Sequence, residues 1–342
     1  MSEISLAKRT PWKSQKEGYQ DAIYYLKGRK EGKIKSIRSP WPKFNDATVD
    51  GLEWNTINVI GGRPGSGKTL IKDQLIREAF LLNPDENFRV LEFQLEMLAR
   101  TSAIREYSSI IGASYKYLCS ADGVLSDDNL KKCVEYARAK LQNPVDIVET
   151  APTVVEFEKI IDQYMETHHY MVDFQNEDST TTSKKYYRKT IITLDHSVLI
   201  KKESKQAELQ MLQVLGECLT KLKKKYPVIF IILSQLNRNI DNPERNEDGK
   251  YGNFVLESDI FGGDALLQHA DTVIGLNRPG KQKIRFYGPD RYIIDSDKVL
   301  AMHFIKCRNG DNRISFFEAK FEKMALVEMP TPPKQEKRMS TK

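Results

Sequence analysis

A chain of 342 residues, 40% hydrophobic and 29% charged, can bury one sizeable core and a small appendage, but not two large domains. Its 53 basic residues are nearly matched by 47 acidic ones, so the net charge of +6 permits a nucleic-acid partner without demanding one. Cys119, Cys133, Cys218 and Cys307 form no Cys-x-x-Cys pair and have no flanking histidine at zinc spacing; with no signal peptide and no apolar run of bilayer length, the expectation is a reduced, soluble, cytoplasmic protein without a membrane partner.

Residues 1–45 are rich in Lys, Ser, Pro and Tyr and hold one helix-like stretch, residues 17–30, with apolar Tyr19, Ile23, Tyr24 and Leu26. A helix this short does not stabilise itself and must dock, either on its own chain or on a neighbouring copy. From Leu52 onward strand-like runs alternate with helix-like ones, with strands expected at residues 57–60, 90–93, 145–148, 191–194, 228–233 and 272–276. This alternation predicts an α/β fold with a mainly parallel central sheet flanked by helices. The helix after the first strand carries Leu70, Ile71, Leu75, Ile76 and Phe80 on one stripe and stops at Asn83-Pro84. A second starts at Thr153 with a capping box to Glu156, and a third covers residues 206–225, with Leu209, Leu212, Leu215, Leu219 and Leu222 along a face. The polar stretches 176–189 and 237–258 are expected to be surface loops. The chain thus divides into an N-terminal extension (1–45), a principal domain (46–329) and a disordered tail (330–342).

The most specific motif follows the first strand: Gly62, Arg63, Pro64, Gly65, Ser66, Gly67, Lys68 and Thr69. Glycines let backbone N–H groups close around phosphate oxygens, Lys68 reaches the outer phosphates, and the Thr69 hydroxyl can ligate magnesium. The helix dipole adds to the attraction. The motif therefore predicts a nucleoside triphosphate as ligand, with Mg2+ as its cofactor.

Three further groups end strand-like runs, where parallel sheets place ligands. Glu96 can polarise an attacking water or cap the next helix. Asp195 can hold magnesium through water or serve as a turn residue. Gln235 can sense the γ-phosphate or simply end a strand. Lys306 and Arg308 follow a later strand-like run, where isolated cations are ordinarily solvated. His196 and the pair His168-His169 have no metal-ligand partner at suitable spacing, and read as structural.

In order, the segments GGRPGSGKT, FQLEM, TLDHSVLI, ILSQLNR, SDIFGGDALLQHADTV and FIKCRNG resemble the helicase domain of the DnaB-type replicative helicases, ring-forming ATPases with a RecA-like P-loop fold. The similarity runs from about Pro40 to Val327 and is weak between Arg100 and Lys189. It implies Lys68 and Thr69 for phosphates and magnesium, Glu96 for activating water, Asp195 for magnesium and Gln235 for γ-phosphate sensing. It casts Lys306 and Arg308 as cations inserted into the neighbouring subunit's nucleotide site, which requires an oligomer. The implied function is an ATP-driven helicase that forms a homo-oligomeric, hexameric ring on single-stranded DNA, with primase or a loader as further partners. The alternative is a RecA- or KaiC-like ATPase that assembles on DNA or loads without unwinding.

The pattern also departs from the family. Its N-terminal helical domain has no counterpart in the first forty-five residues, and the stretch 17–30 instead resembles the linker helix by which one subunit grips the next. Phe261 and Gly262 stand where relatives carry an arginine and a glutamate that help hold DNA phosphates, leaving the backbone N–H groups of Gly262 and Gly263 for close approach. Lys201, Lys202 and Lys205, with Arg238, Arg245 and Lys250, are the cations available to pore-facing loops. The reduced architecture suits a bacteriophage or plasmid replication system in a bacterial cell.

Overall fold

The computed structural model describes residues 12–175, 180–204, 206–237, 240, 242, 245 and 254–336. The chain divides into two compact units, Met1–Ser36 and Ile37–Lys342. In the first, α1 (Gln15–Lys30) starts from a complete capping box. The Glu17 N–H donates to Ser14 Oγ at 3.2 Å, and the Ser14 N–H donates to Glu17 Oε2 at 2.7 Å. Basic side chains in its last turn suit the dipole. Its tyrosines 19 and 24, with Ile23 and Leu26, are exposed.

The second unit runs, in chain order, through α2 (Pro42–Ala47), β1 (Thr56–Gly62), α3 (Lys68–Leu82), β2 (Phe88–Gln94), α4 (Ala99–Ile111), α5 (Tyr115–Leu118), α6 (Asp127–Lys140), β3 (Val145–Val148) and α7 (Val154–Thr167). It continues through β4 (His169–Gln175), β5 (Thr181–Tyr187), β6 (Lys189–Asp195), α8 (Glu208–Lys225), β7 (Val228–Gln235), α9 (Gly263–Leu267) and β8 (Thr272–Asn277). The last strands are β9 (Phe286–Tyr287), β10 (Tyr292–Ile293), β11 (Val299–Cys307), β12 (Ile314–Lys320) and β13 (Ala325–Glu328).

Nine strands form one sheet in the order β13-β12-β11-β8-β1-β7-β6-β2-β3. From β8 to β3 every pairing is parallel; β11, β12 and β13 add an antiparallel wing. β1, β2, β6, β7 and β8 are buried on both faces, which explains their nearly continuous apolar runs, whereas the edge strand β3 is half exposed. In β7 the pleat sends Val228, Phe230 and Ile232 into the core shared with α7 and α8. Ile229, Ile231 and Leu233 enter the opposite core, shared with α2 and α3. The parallel strands share one direction, so β1, β2, β6 and β7 deliver Gly62, Gln94, Asp195 and Gln235 to the same edge, with Gly62 level with Gln235 and Gln94 level with Asp195.

All six expected strands are present, as are the helices after β1, at Thr153 and before Pro227. The stretch 176–189 departs from expectation. Residues 176–179 lie outside the described residues, but β5 occupies 181–187 and pairs antiparallel with β4 as a separate hairpin. The Thr run and paired tyrosines there are strand formers in a polar composition. Most of 237–258 lies outside the described residues. Of the expected tail, residues 330–336 return to β10, where the Ile293 N–H donates to the Lys334 carbonyl at 2.7 Å; residues 337–342 lie outside the described residues. His168 caps α7, and His169 opens β4.

Candidate nucleotide site

The phosphate loop turns between β1 and α3 with Gly65 and Gly67 at φ of 72° and 101°, conformations open to glycine at little cost. A Cβ on Gly62 would strike the Ser66 hydroxyl, so that position too must stay bare. The Ser66 Oγ is buried and, among the described residues, has no hydrogen-bond partner. A buried orphan hydroxyl inside a glycine-lined turn at a helix N-terminus fits a phosphate oxygen.

Lys68 lies within this turn and donates to the carbonyls of Gly62 and Arg63 at 2.6 and 3.1 Å. Burial pushes its pKa down, while the charges of Asp195 and Glu96 pull it back up. Thr69 donates its hydroxyl to Asp195 Oδ2 at 3.2 Å, joining the two groups expected to serve magnesium. No cluster of three or more His, Cys, Asp or Glu among the described residues could hold a metal ion. A hydroxyl and a carboxylate meeting beside a phosphate loop are instead the donor set that Mg2+ shares with phosphate oxygens and water. Burial raises the Asp195 pKa, Lys72 lowers it and Glu96 raises it further.

Glu96 stands exposed just beyond β2. Gln235, at the tip of β7, lies 3.3 Å from the buried His196 ring. Burial lowers the His196 pKa, against the opposing pull of the Asp195 and Glu96 charges. The edge thus gathers Lys68, Thr69, Glu96, Asp195 and Gln235.

Lys306 and Arg308 stand apart from this edge. Because β11 runs antiparallel to β8, its end lies at the beginning of the parallel strands: Cys307 pairs with Thr272, which is level with Asn58 of β1. The loop leaves from Gly62, about 13 Å further along at ~3.3 Å per residue. Lys306 donates to the Leu267 carbonyl at 2.6 Å, and Arg308 contacts Asp271 Oδ1 at 3.2 Å with its side chain half exposed.

A model of the DnaB-like helicase C-terminal domain matches residues 37–325. The chain belongs to that family. This DnaB-like helicase domain is therefore an ATP-hydrolysing helicase of the P-loop class, from a family of replicative helicases. Its fold is similar to the ATPase domain of G40P, with 16% identity over 93% of this chain and 100% of that one and a TM-score of 0.73. It is also similar to a DnaB-like replicative helicase solved in work on its interactions with primase, with 16% identity over 95% of this chain and 69% of that one and a TM-score of 0.69. No curated protein matches the chain. Among the described residues no helix is long and apolar enough to cross a membrane.

The helicase domain carries site features that motif reading missed. Lys72, one turn into α3, is almost wholly buried, with Nζ 2.9 Å from Asp73 Oδ1 and 2.8 Å from Glu92 Oε2. Gln94 donates to the same Glu92 oxygen at 3.2 Å. The signal was available: Glu92 is a lone charge inside the run Val90-Leu91-Glu92-Phe93, which demands a buried partner. From the segment after β8, Arg278 donates to the Gly65 carbonyl at 3.2 Å, and the Lys281 ammonium occupies the place where a Gly65 side chain would project. Nothing in the local sequence signals this approach.

Among the proposed pore cations, Arg245 is already committed. It forms a two-pronged contact with buried Asp259, at 2.5 and 3.0 Å, and so clamps its own loop. Lys201 and Lys202 are exposed after β6; Lys205, Arg238 and Lys250 lie outside the described residues. Gly262 has a φ of +65°, and a Cβ there would strike Leu212, so packing explains this glycine.

Proposed function

We propose that this helicase domain works as a homo-oligomeric, hexameric ring that encircles single-stranded DNA, translocates by hydrolysing ATP and unwinds duplex DNA during replication in a bacterial cytoplasm. The observation that carries the reading is the position of Lys306 and Arg308. They stand at the sheet edge opposite their own phosphate loop, as cations serving a neighbour's loop would. The exposed apolar residues of α1 support its use as the linker helix that grips the next subunit. Primase or a loader is the further partner this reading implies.

Within one site, backbone N–H groups between Gly65 and Thr69 and the Lys68 ammonium hold the phosphates. Thr69 and Asp195 would hold Mg2+, which would supply neutralisation of charge on the phosphoryl oxygens. Glu96 takes the proton of the attacking water, and the neighbour's Arg308 and Lys306 stabilise the charge that develops in transfer. Gln235 reads the presence of the γ-phosphate and passes it, with His196, to the segment after β7.

The test is ATP hydrolysis with and without single-stranded DNA, beside fork unwinding and a mass determination, on wild type and Glu96→Gln. DNA-stimulated hydrolysis with unwinding by a hexamer, slowed on the order of 10²-fold or more in Glu96→Gln, is expected. Stimulation without unwinding would favour a DNA-assembling or loading ATPase, and a monomer with full activity would overturn the ring.

A further inference from the structure

The β4–β5 hairpin stands outside the main sheet and leads into β6 at the end remote from Asp195. Its two faces differ. On one, Tyr187 packs edge-on against Tyr226 with ring centroids 4.7 Å apart, and its hydroxyl donates to Glu166 at 2.6 Å. Asp173 shares that face by the alternation of the strands and accepts from Ser183. This is the anchoring side.

The other face carries Tyr170 opposite Tyr186, Val172 opposite Lys184 and Phe174 opposite Thr182. Tyr170 and Tyr186 stack with centroids 5.8 Å apart and planes 24° from parallel, and Phe174 flanks Tyr186 at 6.5 Å. Tyr170 and Phe174 are each more than two-fifths exposed. Lys184 lies over Tyr186 and Arg188 over Tyr170, at 5.6 and 5.5 Å. Among the described residues these cations rest on rings and the face bears no carboxylate. An apolar protein partner would leave both charges to be desolvated, whereas a polyanion with planar rings satisfies rings and cations together.

We infer that this face is a binding surface for single-stranded DNA, separate from the loops that follow Asp195 and Gln235. Tyr170 and Phe174 are about 13 Å apart along the strand at ~3.3 Å per residue, a length that suits about three bases, as aromatic sheet faces do elsewhere. Lys184 and Arg188 take the phosphates on either side. The surface would hold strand emerging beyond the ATPase ring's own grip. Its existence depends on the hairpin's chemistry, not on the ring.

The experiment uses the full chain and thymidine oligonucleotides carrying 5-iododeoxyuridine, with photocrosslinks mapped to peptides. Crosslinks to Tyr170, Phe174 or Tyr186 are expected. Affinity should fall at least fivefold in Tyr170→Ala/Tyr186→Ala and recover in Tyr170→Phe/Tyr186→Phe. Lys184→Ala/Arg188→Ala should flatten the slope of log K against log salt by roughly 1.4. Hydrolysis without DNA should be unchanged in all three. Absent crosslinks with unchanged affinity and slope would overturn the inference. If DNA still stimulated hydrolysis in that case, the helicase reading would stand and the face would serve a protein; if it did not, both would fall.

Discussion

The two edges of the parallel sheet treat positive charge in opposite ways. At the phosphate edge Lys68 is partly buried against the loop carbonyls of Gly62 and Arg63, and Lys72 is locked in the interior between Asp73 and Glu92. At the other edge Arg308 is half exposed and leans on Asp271, a carboxylate that already has Lys223 at 2.5 Å and the Ile57 N–H at 2.8 Å. A cation whose countercharge is supplied by its own fold completes a site within one chain. One that shares a satisfied carboxylate can leave at little cost and act elsewhere.

Mixing variants tests whether Arg308 serves a neighbouring subunit's loop. Lys68→Ala and Arg308→Ala should each lower ATP hydrolysis on the order of 10²-fold or more, with the oligomer's mass unchanged. Mixed and reassembled, they should regain a measurable fraction, because an Arg308→Ala subunit keeps Lys68 and a Lys68→Ala neighbour still supplies Arg308. Recovery absent across mixing ratios would place all the cations in one chain's site.

Stability provides the next contrast. Lys72→Met leaves Glu92 and Asp73 buried beside no cation, which costs about 3–5 kcal/mol, whereas Arg308→Ala should change stability by less than about 1 kcal/mol because Asp271 keeps Lys223. Urea denaturation of both variants checks the difference; equal losses would erase the distinction between the edges.

Acid should affect the phosphate edge selectively. Burial raises the Asp195 pKa above the ordinary carboxylate value, and the Glu96 charge raises it further. If Asp195 holds magnesium as proposed, its ionised form is the one that does so, and the Mg2+ concentration for half-maximal binding of a fluorescent ATP analogue should rise as pH falls through that raised pKa. In Glu96→Gln one cause is removed, so the rise should begin at lower pH. An unshifted profile would separate Glu96 from Asp195.

The smallest effect expected is at Lys281, the exposed ammonium over Gly65. Lys281→Ala should raise KM for ATP a fewfold with kcat nearly unchanged, the behaviour of a contact made equally to ground and transition states. A fall in kcat alone would give it a part in the transfer itself.

Much of this site is legible along the chain because it is built from short-range features. Glycines, lysine and threonine at fixed spacing sit after an apolar run, and Glu96, Asp195 and Gln235 each follow a recognisable strand. The hairpin was not legible, since Thr, Ser and Lys lower the apolar contrast that marks a strand, and its stability comes from Tyr187 reaching Tyr226, thirty-nine positions away. Lys281 over Gly65 is equally invisible, because only the adjacency of β1 and β8 brings those segments together.

The sequence alone determined the α/β class, the phosphate loop and the list of groups that end parallel strands, since these depend on local periodicity and on residue chemistry a few positions apart. Strand order and direction belong to the tertiary structure. They put Gln94 beside Asp195, bury Lys72 against Glu92 and turn β11 back so that Arg308 emerges at the far edge. Such choices are fixed by which apolar faces cover one another over long sequence separations, a sum no local window contains.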